Sequence, residues 1–464
     1  LSEEIAPGLH NIGTMLPYTA LHSLLLNSTK EPALVMTSAN PSGEPIIIDN
    51  DEAIERLQAD VDYHLLHNRR IAHRCDDSVV KVIGDQPSLI RRSRGYAPEP
   101  VELRFRPKES VLGLGGELNV ASCINVGHRA YLTQHIGDIE HHNTYLFLKE
   151  PVEHLEKLVR ARVSKVACDL HPGYLTTRLA EELVEERGLS LIKVQHHHAH
   201  ITSVMAEHGL EDAIGISIDG AGYGADGTIW GGEVLYCRYD EYKRLAHLQL
   251  HPLPGGDLAT KYPIRVAAAI LSQSDRHKEW LRSVADRLPH GMKEVDVIVK
   301  MIEQKRIPMT SSCGRVLDAV SAILGVCYER TYEGEPAIKL EAAARGGEDV
   351  LRIEPITQSN ILQTSNMVEA VLDNLTRYRI KDLAYSAEEY LAKSLAYNAV
   401  EAAEEYGVKN IALSGGVAYN QHITTTIRKI VKQAKRRFYT NMLVPPGDGG
   451  LSLGQIAAAY HIEG

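Results

Sequence analysis

Short apolar runs recur along this chain, several closed by glycine, and the same order of elements is read twice. Residues 111–116 form an apolar run ending in Gly-Gly, followed by strand-like runs at 121–126 and 130–133. Farther on, the run 214–219 leads into Asp-Gly-Ala-Gly-Tyr-Gly and is followed by runs at 227–230 and 233–238. Both openings read as strand, Gly turn, strand, strand, which predicts two related lobes, each a mixed sheet covered by helices. Strands are also predicted at 165–168 and 410–413, an apolar run spans 189–194, and helices are predicted at 176–186 and 199–207. Ahead of the first lobe, 34–36 and 79–83 read as short buried strands. Residues 51–57 read as a helix capped by Asp49 or Asn50. The stretch 97–108 (APEPVELRFRPK) carries three prolines among charges and is expected to be an extended linker.

Composition narrows the class without naming a chemistry. With 464 residues the chain is long enough for several cores, and its 44 % hydrophobic and 24 % charged residues describe an ordinary folded protein. A net charge of −10 gives no global electrostatic case for a nucleic-acid partner. The six cysteines are scattered without a CxxC pair, which fits thiols in a reducing cytoplasm better than a disulfide framework or a thiolate zinc site. No stretch approaches the roughly 18 apolar residues of a membrane span, so no membrane partner is expected. The chain starts at Leu1 without Met, and the expectation is a piece of a longer protein.

Candidate chemistry centres on His196-His197-His198-Ala199-His200. On a helix, His196 and His200 stack on one face and present two imidazoles to one point, while His197 and His198 splay elsewhere. That is a metal-ligand spacing; the alternative is a histidine run that binds nothing, or a satisfied core histidine. Asp219 and Asp448, in Gly-rich turns far downstream, favour the metal. Glycines after buried strands let backbone amides approach anionic oxygens, and four such turns occur, at 113–116, 220–227, 415–416 and 447–450. Taken singly, each is also readable as a plain turn. The segment 414–420 leads into a helix whose N-terminus favours an anion or polar ligand edge. Asp-Leu-His-Pro-Gly-Tyr at 169–174 lines an acceptor channel on one reading and is a turn before a helix on the other. His73, His141 and His142 read as surface histidines.

Four segments together resemble the Kae1-like domain of carbamoyltransferases: HHHAH at 196–200, IDGAGYGADGTIWGGE at 218–233, LSGGVAYNQ at 413–421 and PPGDGGLSLGQ at 445–455. MLPYTALHSLLL at 15–26, MTSANPSGEP at 36–45, HRCDDSVVKV at 73–82 and IRRSRGYAPEP at 90–100 are similar to the C-terminal part of a YrdC-like domain. That order is the one found in the HypF family of [NiFe]-hydrogenase maturation. The resemblance implies an α/β fold: a partial YrdC-like domain at 1–100, a linker at 101–109, and a two-lobed actin/Hsp70-like ATPase domain. Its duplicated lobes would be 110–210 and 211–464, with return of the chain end to lobe I left open. One departure is visible: the Gly-Gly-Glu-Leu turn continues Asn119-Val120-Ala121 where many relatives have Lys-Asn-Thr.

The family implies a transferase that makes carbamoyl-adenylate from carbamoyl phosphate and ATP and passes the carbamoyl group to the C-terminal cysteine of HypE. A His-His-Asp-Asp metal site carries over to His196, His200, Asp219 and Asp448, with His196, His200 and Asp448 as catalytic candidates. The donor set does not separate Fe from Zn, and Mg is a further candidate. Gly220, Gly222, Tyr223 and Gly224 would take the nucleotide phosphates, Gly415, Gly416, Val417 and Asn420 the adenosine, and Asp318 and Gly334 the ribose. For the last two, a capped helix and a turn are equal alternatives. Ser38, Asn40, Ser78, Arg91 and Arg92 would contact a second adenylate in the YrdC-like part, whose activation chemistry is expected to be crippled in this chain. Three other classes compete: a small-molecule O-carbamoyltransferase of the nodulation or antibiotic-tailoring type, a tRNA threonylcarbamoyl transferase, and a non-catalytic nucleotide-binding scaffold. Domain order disfavours the small-molecule reading, acidic charge the tRNA reading, and retention of all four metal-ligand candidates the scaffold.

Overall fold

The computed structural model describes residues 3–139, 142–274, 276–304 and 307–462, which leaves His141 and the side chain of His142 outside the described part. Two compact units divide at Arg74, so the packing boundary precedes the expected one at residue 100. In the first unit, α1 spans Ala20–Ser28 and α2 Asn50–Leu57. Asp49 caps α2 as expected, its carboxylate accepting from the amides of Asp51 and Glu52. The strand expected at 34–36 does not form: Val35 is 81 % exposed, and residues 3–74 contain no described strand to pair with it. An apolar triplet becomes a strand only when a neighbour takes up its backbone hydrogen bonds.

The second unit opens with an antiparallel hairpin, β1 (Val79–Ile83) and β2 (Gln86–Arg91). The strand was expected here, but not its exposure: Val79, Val80 and Val82 face outward while Ile83 is buried. A two-stranded ribbon has too little cover to bury both faces.

Two sheets follow with one topology. The first contains β3 (Val101–Glu102), β4 (Ser110–Gly113), β5 (Cys123–Val126), β6 (Arg129–Leu132), β7 (Val163–Asp169) and β8 (Ser190–Val194), in the order β3-β6-β5-β4-β7-β8. The second is centred on β9 (Ala213–Tyr223), β10 (Ile229–Cys237), β11 (Tyr242–Leu248), β12 (Asn410–Ser414) and β13 (Arg437–Thr440), ordered β11-β10-β9-β12-β13. In each, a three-strand antiparallel meander is extended by two parallel strands beside its first member. The repeat seen in the apolar pattern is therefore a repeat of topology.

Three expectations change. The stretch read as a linker supplies β3, with Val101 and Leu103 buried against the first sheet. Residues 220–223 continue β9, and the hairpin turns at 224–228, where the Gly224 amide donates to the Thr228 carbonyl. The runs at 227–230 and 233–238 fuse into β10, whose pairing with β9 shifts register beside Gly231. Gly231 and Gly232 are packing residues: a Cβ would lie 2.7 Å from the Asp219 carbonyl oxygen at the first and 2.6 Å from that of Ser311 at the second.

Helices α3 (His142–Val159), α4 (Leu175–Arg187) and α5 (His196–His208) belong to the first half. Later come α6 (Cys313–Ile323), α7 (Glu335–Ala344), α8 (Ile380–Glu405), α9 (Gln421–Gln433) and α10 (Leu451–His461). The C-terminal α10 packs on α5 and β4, so the chain end returns to the first lobe. Among the described residues no helix is long and apolar enough to cross a membrane.

Candidate metal and nucleotide site

Helix α5 begins where β8 ends, and Gln195 caps it by accepting from the amide of His198. The first turn is wholly buried, which settles the histidine run as core-facing rather than surface. His196 and His200 share a face, with ring centroids 4.9 Å apart, and both Nε2 atoms meet the Asp219 carboxylate, at 3.4 and 2.9 Å from Oδ2. His198 points away and contacts the Arg238 carbonyl. The fully buried His197 packs against Trp230 at 5.9 Å.

Asp219 lies where the β9–β10 register shifts, and a bulge re-aims a side chain that regular pleating would direct elsewhere. Its two oxygens divide their work. Oδ1 accepts from the amides of Gly220 and Gly416, at 2.7 and 3.2 Å, while Oδ2 faces the imidazoles. Two amides expected to cradle phosphate are thus held by this carboxylate. Gly415 is obligatory beside it: its φ is +104°, and a Cβ would lie 2.1 Å from the Ile218 carbonyl oxygen.

Asp448 comes from the turn ahead of α10, and its Oδ1 lies 3.7 Å from His196 Nε2 and 3.6 Å from His200 Nε2. The placement rests on a close helix crossing: a Cβ on Gly454 would lie 1.8 Å from the Ala199 carbonyl oxygen, and Thr202 Oγ1 donates to the Gly454 carbonyl at 3.1 Å. The four ligand atoms of His196, His200, Asp219 and Asp448 lie within 4.8 Å of one another. Tetrahedral ligands at about 2.1 Å from an ion sit about 3.4 Å apart, so the imidazole–carboxylate separations of 2.9 to 3.7 Å and this N/O donor set suit a divalent metal.

Burial opposes charge on every member, and the opposite charges answer it. Despite burial, Asp169 and Asp448 hold His196 well above the usual imidazole value, and Asp219 holds His200 up. Asp219 stays well below the carboxylate range because both imidazoles face it, whereas burial pushes Asp448 up. The sequence reading missed Asp169 in this role. Its Oδ2 lies 2.7 Å from His196 Nδ1, although its motif had been singled out for a channel.

The other candidates scatter more. Gly222 and Gly224 make room for rings: a Cβ would lie 2.4 Å from the His197 ring at the first and 2.3 Å from Trp230 at the second. Tyr223 accepts from Gln195 Nε2 through its carbonyl. Asn420 caps α9 and donates to Glu388 Oε1 at 2.7 Å, and Val417 is buried beside it. Asp318 lies inside α6 in an ion pair with Arg315 at 2.8 Å, and Gly334 is the left-handed residue that starts α7. Ser38 and Asn40 belong to the first unit, where the Asn40 amide group donates to the carbonyls of Pro41 and Glu44. In the second unit, Ser78 donates to the Arg94 carbonyl, Arg91 is exposed, and Arg92 is buried on the carbonyls of Leu443 and Glu99.

Family models match along the chain. One described as the second subdomain of the carbamoyltransferase Kae1-like domain covers residues 215–455, the HypF Kae1-like domain covers 106–207, and the Sua5/YciO/YrdC model, described as telomere recombination, covers 1–93. A probable carbamoyltransferase HypF of Methanocaldococcus jannaschii is 42 % identical over 98 % of this chain and 59 % of its own length. The crystal structure of HypF from T. kodakarensis matches with TM-score 0.94 at 42 % identity, over 99 % of this chain and 61 % of that one. A full-length HypF crystallised in a phosphate- and nucleotide-bound form matches with TM-score 0.92 at 36 % identity, over 98 % and 71 % of the two chains. The chain spans about six tenths of the length of the curated relatives it matches.

Proposed function

Because the chain belongs to the HypF carbamoyltransferase family, we propose that its Kae1-like part transfers a carbamoyl group from carbamoyl-adenylate to a cysteine thiol. The acceptor in this reading is the C-terminal cysteine of HypE. The adenylate derives from carbamoyl phosphate and ATP. One observation carries the reading: two imidazoles and two carboxylates from three separate elements converge beside the Gly415–Gly416 turn.

His196, His200, Asp219 and Asp448 would hold a divalent ion, Fe or Zn, with Mg as the oxygen-preferring alternative. Such an ion supplies positive charge to the phosphate oxygens as negative charge builds in the transfer. The chain's own contribution is preorganisation. Asp219 ties the site to the turn, since its Oδ1 holds the amides of Gly220 and Gly416 in place. In this reading Gly415, Gly416, Val417 and Asn420 face the adenosine, Gly220, Gly222, Tyr223 and Gly224 the phosphates, and Asp318 and Gly334 the ribose. The acceptor sulfur bonds to the carbamoyl carbon, the bond from that carbon to the phosphate oxygen breaks, AMP leaves, and the thiol proton passes to water.

The test is to mix the chain with carbamoyl-adenylate and a peptide ending in cysteine, then weigh the peptide. A carbamoyl increment that vanishes in Asp448→Ala together with bound metal is the expected result. Full transfer and full metal content in that variant would remove the reading.

A further inference from the structure

The end of β7 delivers a carboxylate to the back of the metal site. In the parallel β7–β8 pairing Asp169 lies opposite Val194, two residues before α5 begins, so the ladder brings Asp169 beside the first helical residue. Both side chains of the resulting pair are shielded, Asp169 at 1 % and His196 at 0 % exposure. The mount is rigid. Asp169 Oδ1 accepts from the His171 amide at 2.9 Å, and Thr177 Oγ1 donates to the His171 carbonyl at 3.0 Å, fastening the 169–173 turn to α4. The His171 ring stacks on Tyr174 at 4.1 Å.

We propose that Asp169 is a positioning residue that sets the orientation and tautomer of His196. The inference rests on the metal reading of His196, His200, Asp219 and Asp448. Both Asp169 oxygens are committed: Oδ1 to a backbone N–H, and Oδ2 to His196 Nδ1 at 2.7 Å. A carboxylate accepts, so Nδ1 carries a proton; the carboxylates in front would likewise hold one on Nε2, and a bound ion takes that proton's place on the Nε2 lone pair. His196 Nε2 does face Asp219 Oδ2 and Asp448 Oδ1. A carboxylate behind an imidazole also raises its basicity as a ligand, an effect worth about 10–100-fold in metal affinity.

Asp169→Asn isolates this function because it preserves shape. An amide has one acceptor end, and the His171 N–H claims it. The NH2 group then faces His196 Nδ1, which must accept, and the proton moves to Nε2, where it blocks coordination. Asp169→Asn and His196→Ala are compared with the unsubstituted chain by chelator competition for Zn2+ and by the visible absorption of bound Co2+. The inference expects His196→Ala to lose binding and Asp169→Asn to bind about 10–100-fold more weakly, with an altered Co2+ spectrum. Loss in His196→Ala with unchanged affinity and spectrum in Asp169→Asn overturns the inference and leaves the metal site standing. Unchanged affinity in His196→Ala overturns the metal reading, and the inference with it. Should Asp169→Asn fail to fold, the Zn2+-loaded unsubstituted chain decides. Its long-range 1H–15N spectrum, with the resonance assigned by its loss in His196→Gln, should show the proton on Nδ1 and the metal on Nε2. The reverse arrangement overturns the inference.

Discussion

Replacing Gly454 by Ala tests whether the α5–α10 crossing is what holds Asp448 in the site. On helix propensity alone, Ala at an interior position gains about 1 kcal/mol over Gly. Here the added Cβ would stand 1.8 Å from the Ala199 carbonyl oxygen and 2.7 Å from its carbon, whereas ordinary contact starts at 3.4 Å. Helix α10 must therefore retreat by about 1.6 Å, an overpacking strain that costs about 1–3 kcal/mol and reverses the sign expected from propensity. The retreat also strains the Thr202–Gly454 bond and the pair of bonds between Gln455 and the Gly115 backbone. Two ligands on one ion, with bonds of about 2.1 Å, stand at most about 4.2 Å apart. Asp448 Oδ1 is already 3.7 Å from His196 Nε2, so a turn that follows its helix outward takes Asp448 out of range. The expected result is a lower thermal midpoint together with loss of Zn2+ affinity, measured by a melting curve and by chelator competition. A variant that melts where the parent does and binds Zn2+ equally well would refute the mechanical link.

Two further predictions lie outside the ligand set. Glu388 is fully buried, with Oε1 accepting from Asn420 and Oε2 without a partner among the described residues, and burial pushes it from its usual 4.5 up to about 8. The unfolded chain then releases this proton at lower pH than the folded one. The group's stabilising contribution is complete below about pH 4.5 and declines through about pH 8, by about 1.4 kcal/mol per pH unit at most. Glu388→Gln should flatten the fall of the thermal midpoint between those limits, and an unchanged slope would count against the assignment. Lys81 joins the β1–β2 hairpin to α7 and to the turn before α9, donating to both Glu341 oxygens at 2.9 and 2.8 Å and to the Tyr419 carbonyl at 3.0 Å. Lys81→Met should release the hairpin by about 2 kcal/mol, read as roughly thirtyfold faster proteolytic cutting at its tip. Unchanged cutting would show that the contact does not anchor it.

Much of this site is local, and so was legible before any coordinates. The i, i+4 spacing of His196 and His200 needed only a helix; the sequence places one at 199–207, and the structure starts it at His196 behind the Gln195 cap. The repeated order of strands was legible as well, because alternating apolar runs and the turns between them are properties of neighbours in the chain. Glycine was the ambiguous letter. Gly231 and Gly232 were read as breaks, yet they lie within one strand because the 309–312 segment presses against it. The prolines of 97–108 suggested a linker, but Val101 and Leu103 found an open edge of the first sheet.

From the order of residues alone came the two lobes and the paired imidazoles, and the family resemblance of the surrounding motifs supplied Asp219 and Asp448 as their partners. Tertiary structure decided where those partners point. A bulge in β9 turns Asp219 toward α5, a side-chain-free crossing at Gly454 carries Asp448 over the same face, and the β7–β8 register brings Asp169 behind it. Each depends on backbones of different elements packing against one another. Periodicity records which face of an element is apolar, but not which distant backbone will approach it, so that information exists only once the chain has packed.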